Sequence, residues 1–487
     1  MVNSVKSFAR YHASTLVRVG ILVGLVCALP VVGYLATRPR LNPFFIIVAL
    51  IVPIGAFAVL RQIELGLVGM LLAGVFVRVR LPTGTASEIV VSLLLCMGVM
   101  GIWIVRMLVE EKRLTLKPTP ANFPLLAFVI VIFVSLVWGR IYRDVFVHDI
   151  GSPFVAVASA VVMALLPATF LLVANLVQDV RWLRAMVWVF LAEGLVSLAV
   201  SLVIDLGIGP TDTIRRIVFY NGVLWINTKG LYSMWYLSFA LSFALFYRRL
   251  HWALRAALFV CVAGWVFWGF WLRTSWLSGW VPTFAAAGVI TFLRSKKLFL
   301  IVVLVIVVGA GGYYWRTSFQ AESEESGGTR LAAYEVNWRV TGKHLLFGTG
   351  PAGYAAYYMS YFPMEGMASH SNYIDIIAQT GIVGTVFILW FFGVQVRGGY
   401  KVWRQIQNRG DFAESMTVAV LGGTAGCIIA MALGDWLFPF AYTQSITGFD
   451  AAMFNWFFMG MVWALNDILA SETPEVDNLQ IIEGSTV

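Results

Sequence analysis

Charged side chains are scarce in this 487-residue chain. Lys, Arg, Asp and Glu make up 12% of the residues, whereas a soluble domain carries roughly 25%. This scarcity excludes an ordinary soluble protein, because too little polar surface is present to face water on every side. Apolar and aromatic residues make up 60% and form long uninterrupted runs. Each run is near the ~20 residues that a helix needs to cross a bilayer, and a β-barrel would instead alternate apolar and polar residues.

Metal ligands and redox-active residues are also few. The chain has five histidines and four cysteines, and their spacing matches no common metal site. Cys27, Cys96, Cys261 and Cys427 each lie inside an apolar run, where we expect them to pack as small buried side chains rather than form disulfides. An Asp-x-Asp pattern typical of metal–nucleotide binding is absent as well. The sequence therefore predicts no metal and no cofactor.

Basic residues cluster in short linkers between the apolar runs. We predict about 12 to 14 spans, with the lower number applying if the runs 43–60 and 63–79 form a re-entrant pair. The basic linkers 109–117, 248–255, 294–297 and 397–409 then fall on one face. This face is predicted to be cytoplasmic, with both termini inside, although the basic loops 38–40 and 78–80 run against the rule. The net charge of +9 is thus assigned to membrane orientation rather than to nucleic acid.

The chain divides into four predicted parts. Residues 1–315 hold transmembrane helices 1–11, and residues 370–469 hold helices 12–14. Residues 316–369 are a polar insert, which we predict to be an extracytoplasmic loop with short helices, since its middle has an amphipathic pattern. The acidic residues 470–487 are predicted to be a disordered cytoplasmic tail. We therefore expect an all-α polytopic membrane protein.

The stretch "GTGPAG", residues 348–353, matches the dinucleotide-binding pattern G-x-G-x-x-G. That pattern binds nucleotide only after a strand and with access to a cytoplasmic cofactor. Here a helical pattern precedes the glycines, Pro351 interrupts them, and the loop is predicted outside the cytoplasm. We predict instead a tight bend that returns the loop helix to the membrane.

Several arginines lie on the predicted outer face, against the usual orientation preference. They are Arg215 and Arg216 before span 8, Arg273 between spans 9 and 10, and Arg330 and Arg339 in the insert. Interfacial arginines often contact lipid headgroups, and this alternative stays open for each of them. For Arg216 and Arg330 we favour an anion site, because guanidinium forms bidentate bonds to phosphate and keeps its charge.

The segment "SHSNYIDIIAQTGIVGTVFIL", together with the upstream "GTGPAGY", resembles the signature of the O-antigen ligase and O-antigen polymerase family. The residues at matching spacing are His370, Tyr373, Gly381 and Gly384. Two positions depart from the family pattern: Gln379 stands where Glu is usual, and Ser371 where Asn is common.

Further segments carry the same resemblance. "RRIVFYNGVLWINTKGL" is similar to the family's arginine-then-asparagine segment, with Arg216 and Asn227 at the matching positions. Arg330 matches the arginine at the head of the family's loop helix. "WLRTSWLSGW" resembles the T-x-S-R-x-G stretch in keeping Ser275, but Trp276 replaces the arginine.

The resemblance implies a GT-C-like bundle that acts as a glycosyltransferase in the bacterial inner membrane. The donor would be a glycan on undecaprenyl pyrophosphate. The acceptor hydroxyl would belong to lipid A–core, another lipid-linked glycan or a protein, so ligase and polymerase both stay open. The reaction would build lipopolysaccharide O-antigen or exopolysaccharide at the extracytoplasmic face, without metal or cofactor.

The same resemblance implies roles for particular residues. Arg216 and Arg330 would stabilise the departing diphosphate, where negative charge develops. His370 would be a general base or an orienting group, since imidazole exchanges protons near neutral pH. The remaining substrate-binding candidates are Arg215 and Arg339, which replace the first pair if the register shifts by one turn, and Arg273, Asn227 and Tyr373.

Structural alternatives remain for these positions. His370 in "SHSN" also fits a helix N-cap, and Tyr373 fits helix packing equally well. The loop residues Asp144, His148 and Asp149 form a second carboxylate–imidazole set, for which a solvated loop is the commoner meaning.

A transporter is the alternative function, either a lipid-linked oligosaccharide flippase or a polysaccharide exporter. Such a protein would carry polar residues along several spans and show symmetry between its halves. The predicted spans are almost free of charge and show no such symmetry. Glu193 and Asp435 are exceptions, and intramembrane carboxylates of this kind point to function.

Overall fold

The computed structural model describes residues 55–77, 79–82, 88–149, 152, 154–220, 226, 228–272, 277–310, 328–363, 369–444 and 446–483. Its main helices are α1 Glu64–Phe76, α2 Val91–Arg106, α3 Asn122–Ile141, α4 Phe154–Leu176, α5 Val180–Asp205, α6 Thr211–Arg215, α7 Tyr232–Phe246, α8 Trp252–Phe267, α9 Leu277–Arg294, α10 Lys296–Val305, α11 Gly328–Thr341, α12 Gly353–Tyr361, α13 Asn372–Ile406, α14 Phe412–Leu433 and α15 Phe449–Glu483. Within these ranges, β1 Arg80–Pro82 and β2 Glu88–Val90 pair antiparallel as one small ladder.

Six of the described helices are long and apolar enough to cross a membrane. They are Val91–Glu111, which is α2 with a π-helical extension, and α3, α4, α5, α13 and α14. Shorter apolar helices include α1, α7 and α8. The prediction of an all-α polytopic membrane protein is confirmed, while the total number of spans stays a prediction. Helix α15 continues to Glu483, past residue 470, where the sequence predicts the tail to begin.

The chain forms two compact units. The first contains residues 1–68 and 98–114. In its described part, Gly66 packs against Val99, whose side chain lies 2.4 Å from where a Cβ on Gly66 would sit. Arg106 donates from Nη2 to the Leu60 carbonyl at 2.5 Å. The second unit contains residues 69–97 and 115–487.

The second unit is held together by small residues and by aromatic rings between its helices. Gly460 of α15 sits against the Phe170 carbonyl of α4, only 2.7 Å from the position of an added Cβ. The Phe190 ring contacts Phe458 at a centroid distance of 4.6 Å. Gln395 joins α13 to α15 because its side chain accepts from Trp463 Nε1 at 2.6 Å. Helices in lipid associate through close backbone approach and interhelical hydrogen bonds.

The loops that connect the helices of this unit lie at two opposite ends. At the first, which we call the loop end, lie residues 142–149, 342–352 and 434–448, beside the start of α13. The other, the linker end, is formed by 117–122, 177–181 and 407–411. There the Lys117 ammonium pairs with Asp467 at 2.8 Å, and the Arg249 amide donates to the Gly410 carbonyl at 3.0 Å. The loop end carries the candidate site.

Candidate functional site

Helix α13 is broken at Gly381, whose backbone has φ 68° and ψ −168°. Only glycine adopts this region readily. The break exposes hydrogen-bonding groups that a continuous helix would pair internally. Downstream, the amide of Ile382 donates to the Leu345 carbonyl at 2.8 Å instead of to α13 itself. Upstream, the carbonyls of Ala378 and Gln379 are left to accept from elsewhere.

The glycine turn, residues 348–353, supplies the missing donors. The Thr349 amide donates to the Ala378 carbonyl at 2.8 Å, and the Gly350 amide donates to the Gln379 carbonyl at 3.1 Å. The Ala352 amide donates to the Gln379 side-chain oxygen at 2.7 Å. Gly348 and Gly350 both have positive φ. The predicted tight bend is confirmed, and these three amides are bonded to α13 rather than available to a phosphate.

A buried carboxyl, Asp375, lies one turn into α13. Its Oδ1 accepts from the Tyr354 hydroxyl at 2.7 Å and from the Ser369 hydroxyl at 2.6 Å. The carboxyl of Asp435, from the loop after α14, interacts directly with it. Both side chains are buried, and Asp375 Oδ2 and Asp435 Oδ1 have no hydrogen-bond partner among the described residues. A proton held between the two groups would let one carboxyl donate to the other.

His370 lies next to Asp435, on the solvent-exposed side of this acidic pair. Its Nδ1 lies 3.6 Å from Asp435 Oδ2, and its side chain is 51% exposed whereas that of Asp435 is 1% exposed. Its backbone has φ 50°, a left-handed conformation that costs a non-glycine residue about 1–3 kcal/mol. Ser371, rather than His370, occupies the N-cap position of α13. A strained, half-exposed imidazole backed by a buried carboxylate is typical of a proton-transferring site.

The predicted arginines do not join His370 in the part of the chain that the structure describes. Arg215 ends α6 and Arg216 begins the π-helical turn Arg216–Tyr220; both are exposed. Arg339 on α11 is exposed and donates to Glu335 Oε1 at 2.5 Å. Arg330 lies in the first turn of α11, but its side chain is outside the description. Arg273 and Asn227 lie outside the described residues.

Tyr373 and its neighbour Asn372 bind the protein's own backbone. The Tyr373 hydroxyl donates to the Ile428 carbonyl of α14 at 2.8 Å. Asn372 Nδ2 donates to the Phe438 carbonyl at 2.8 Å, and its Oδ1 accepts from the Leu437 amide at 2.9 Å. Tyr373 therefore joins the start of α13 to α14 itself, and Asn372 fixes the loop after α14, and with it Asp435, against the start of α13.

The two intramembrane carboxylates that the sequence singles out have different surroundings. Asp435 contacts the candidate site. Glu193, in the middle of α5, is buried, and neither of its carboxyl oxygens has a hydrogen-bond partner among the described residues. Sequence reasoning missed Asp375. This residue is an acid at the start of an apolar run, so the rule that intramembrane carboxylates point to function applies to it as well. Tyr354 and Ser369 carry no sequence signal of their own.

The second carboxylate–imidazole set, Asp144, His148 and Asp149, serves mainly to anchor its loop. Asp144 Oδ2 accepts from the Tyr361 hydroxyl at 3.0 Å. The His148 amide donates to Ser360 Oγ at 3.0 Å. Burial raises the pKa of Asp149, but hydrogen bonds from Arg143 and Arg140 outweigh it, so the net pKa lies below its usual value.

Comparison with known proteins bears on the same region. No curated protein sequence matches the chain. Residues 253–389 match the family model described as O-antigen ligase. The matched range contains the glycine turn, His370, Asp375 and the break at Gly381, whereas Asp435 lies beyond it. This match over residues 253–389 supports the resemblance to the O-antigen ligase and polymerase family.

Proposed function

We propose that the protein is a glycosyltransferase that moves a glycan from undecaprenyl pyrophosphate to an acceptor hydroxyl at the extracytoplasmic membrane face. The family match supports glycan transfer of the O-antigen ligase or polymerase type, with a lipid-linked glycan and an acceptor as partners. The observation that carries the proposal is the strained, half-exposed His370, inside the matched range, beside the buried Asp435 from the loop after α14.

The proposed reaction is a displacement at the anomeric carbon of the donor. The acceptor oxygen forms the new glycosidic bond, the bond to the pyrophosphate oxygen breaks, and the hydroxyl proton passes to His370 Nε2. Asp435 faces the other ring nitrogen, so its carboxylate orients the ring and stabilises the imidazolium that forms. Undecaprenyl pyrophosphate leaves as the anion.

The departing diphosphate needs fixed positive charge, because charge develops there in the transition state. We assign this role to Arg216 and Arg330, with Arg215 and Arg339 as the substitutes. In this structure Arg339 is bonded to Glu335, which favours Arg330 as the partner from α11. Guanidinium groups in this role would make the reaction independent of metal. Arg273, Asn227 and Tyr373 remain the candidates for further contacts to sugar or phosphate.

The orientation of the membrane is part of the proposal. Exposed basic residues of the second unit gather at the linker end, among them Arg181, Arg248 and Arg409. By the positive-inside rule that end faces the cytoplasm. The loop end, with His370, then faces outward in the bacterial inner membrane, where lipid-linked glycans and their acceptors would meet.

The test is made in cells that carry Arg216→Lys, Arg330→Lys or His370→Ala, with Arg181→Lys as the matched control at the opposite end. We expect the site variants to lose transferred glycan and to accumulate glycan on the lipid carrier. The control is expected to behave as wild type. Loss of product without lipid-linked accumulation would contradict the assignment, and translocation of lipid-linked glycan without covalent product would favour the transporter.

A further inference from the structure

A cleft with a volume of about 540 Å³ lies between α9 and α10. Its two walls are apolar stripes, in which the spacing of three and four residues places each stripe on one face of its helix. The walls include Val281, Ala285 and Phe292 on α9, and Phe299, Val303 and Val307 on and just after α10. No residue proposed for glycan transfer lines this cleft.

The two helices touch near the turn that connects them and separate beyond it. The rings of Phe292 and Phe299 meet edge to face beside the turn, at a centroid distance of 5.6 Å. On its other side α9 packs closely on α14, where the Pro282 carbonyl lies 2.8 Å from the position of an added Cβ on Gly426. Phe292 is 50% exposed and Val307 is 62% exposed. The cleft therefore has one firmly held wall and is open to the surroundings.

The dimensions of the cleft match one lipid chain. Along α9 it extends from Val281 to Phe292, which is about 17 Å of helix, or roughly half of the ~30 Å hydrocarbon core of a bilayer. A cavity of about 150 Å³ holds a six-carbon ring, so a volume of 540 Å³ holds on the order of twenty carbons. All the side chains that line it are apolar. A hydrocarbon chain between the walls would give both of them dispersion contacts.

Positive charge lies at the end of the cleft where the helices meet. Arg294, Lys296 and Lys297 are all exposed there, and residues 277–310 contain no Asp or Glu. Lys296 lies three residues before Phe299, so it shares the face of α10 that lines the cleft. It also stands in the first turn of α10, where the helix dipole favours a phosphate group. A lipid whose chain occupies the cleft would therefore gain from a negative headgroup.

We propose that this cleft binds one acyl chain of an anionic glycerophospholipid, whose phosphate contacts Lys296 and Lys297. The cations belong to the linker end of the protein, since the Arg294 guanidinium lies over the ring of Phe246, the last residue of α7, at 5.9 Å. The lipid is thus distinct from the proposed glycan donor, whose diphosphate belongs at the loop end. In the orientation proposed above, the bound lipid lies in the cytoplasmic leaflet. Glycan transfer plays no part in this inference, so the two proposals can fail separately.

Photo-cross-linking of the purified protein in nanodiscs tests the position of the chain. The probe is phosphatidylglycerol with a diazirine at the end of one acyl chain, and the labelled peptides are mapped by mass spectrometry. We expect labelling near Val281 and Val307, at the far end of the cleft from the cations. Val303→Trp fills the cleft and should remove this labelling. Leu304→Trp is the matched control, because Leu304 is 62% exposed and lies outside the cleft.

Binding of the headgroup is tested by native mass spectrometry in detergent. Phosphatidylglycerol and phosphatidylcholine with the same acyl chains are compared, and we expect the wild type to prefer phosphatidylglycerol. Replacing Lys296 and Lys297 together by glutamine should weaken its binding about tenfold or more, the loss expected for two cations near a lipid phosphate. The same pair replaced by arginine should keep the preference. Arg181→Gln, which removes an exposed arginine elsewhere at the linker end, should keep it as well.

Ala285→Phe separates the filled cleft from a folding defect, because it fills the same space from the opposite wall. Both filling variants should lose the labelling at an unchanged unfolding temperature in detergent. Labelling that persists in Val303→Trp or Ala285→Phe would overturn the proposal, and so would equal binding of the two lipids by the wild type. A doubled mass that Val303→Trp dissociates would identify a second copy of the chain as the occupant instead. Labelling that avoids 281–307 in the wild type would show that no phospholipid chain occupies the cleft.

Discussion

Replacing Gly381 with alanine tests whether the break in α13 determines the stability of the site. At φ 68° and ψ −168°, alanine would carry strain of about 1–3 kcal/mol. Its Cβ would also lie 2.3 Å from the Leu346 carbonyl oxygen. Because this atom belongs to the backbone, the glycine turn would have to move, which costs a further ~1–3 kcal/mol. We therefore expect the free energy of unfolding to fall by about 2–6 kcal/mol, the sum of these two contributions.

Gly393 provides the matched control on the same helix. It is exposed, and a Cβ there would meet nothing within 4 Å. Alanine should leave stability unchanged or raise it by about 0.5–1 kcal/mol, because glycine disfavours a helix interior. The assay is unfolding of the purified variants in one detergent, followed by denaturant and by temperature. Equal stability of Gly381→Ala and Gly393→Ala would refute the account of the break.

Three further predictions concern single side chains, each measured in the same unfolding assay. Asn372→Ala should destabilise the protein by about 1–3 kcal/mol, because it leaves buried backbone groups near Phe438 unpaired. Tyr373→Phe should cost only about 0.5–1.5 kcal/mol, the net value of one hydrogen bond. Burial lowers the pKa of His344, as does Lys343, while Asp144 opposes them. As the pH falls, His344 is therefore protonated in the unfolded chain before it is protonated in the folded one. Its contribution to the free energy of unfolding should be fully present above about pH 6.5 and be lost as the pH falls through the folded-state pKa. His344→Gln should remove this decline.

Each of these outcomes can fail separately. Asn372→Ala with wild-type stability would show that the loop after α14 is held by other contacts. Tyr373→Phe with normal stability but a raised KM would show that its hydroxyl binds substrate rather than α14. A pH profile of His344→Gln that parallels the wild type would place the titrating group elsewhere.

The fold class and the glycine turn could be predicted because their causes are local. Apolar runs of bilayer length require helices, and "GTGPAG" contains the residues that a tight bend needs. The exchange of hydrogen bonds between this turn and α13 could not be predicted, because it joins residues about thirty positions apart. The sequence identifies Gly381 as a motif position. It does not predict that the helix breaks there, or that the Gln379 carbonyl then accepts a hydrogen bond from the glycine turn.

The candidate site shows the same limit. The motif predicts His370, and the apolar run around it singles out Asp435. Only the fold brings the two together, because all of α13 and α14 lies between them in the sequence. Asp149 was found as a loop acid, while its pairing with Arg140 and Arg143 depends on how that loop folds back on α3. Patterns in one segment identify groups capable of chemistry, and long-range packing decides which of them meet.

The departure at Gln379 also has a structural explanation. Its side-chain oxygen accepts from the Ala352 amide at 2.7 Å, and the side chain is 4% exposed. A neutral amide fills this role without burying a charge, which a glutamate at the same place would do when ionised. Gln379 therefore joins the glycine turn to α13 through a hydrogen bond from a backbone amide to a neutral side chain.

Reconstitution tests the central claim most directly. The purified protein in liposomes is given a synthetic glycan on undecaprenyl pyrophosphate and a hydroxyl acceptor, with a chelator present, and both products are quantified. We predict glycosylated acceptor and free undecaprenyl pyrophosphate in equal amounts from the wild type, and loss of both in His370→Ala. Turnover by His370→Ala at the wild-type rate, or product formed without release of the lipid pyrophosphate, would contradict it.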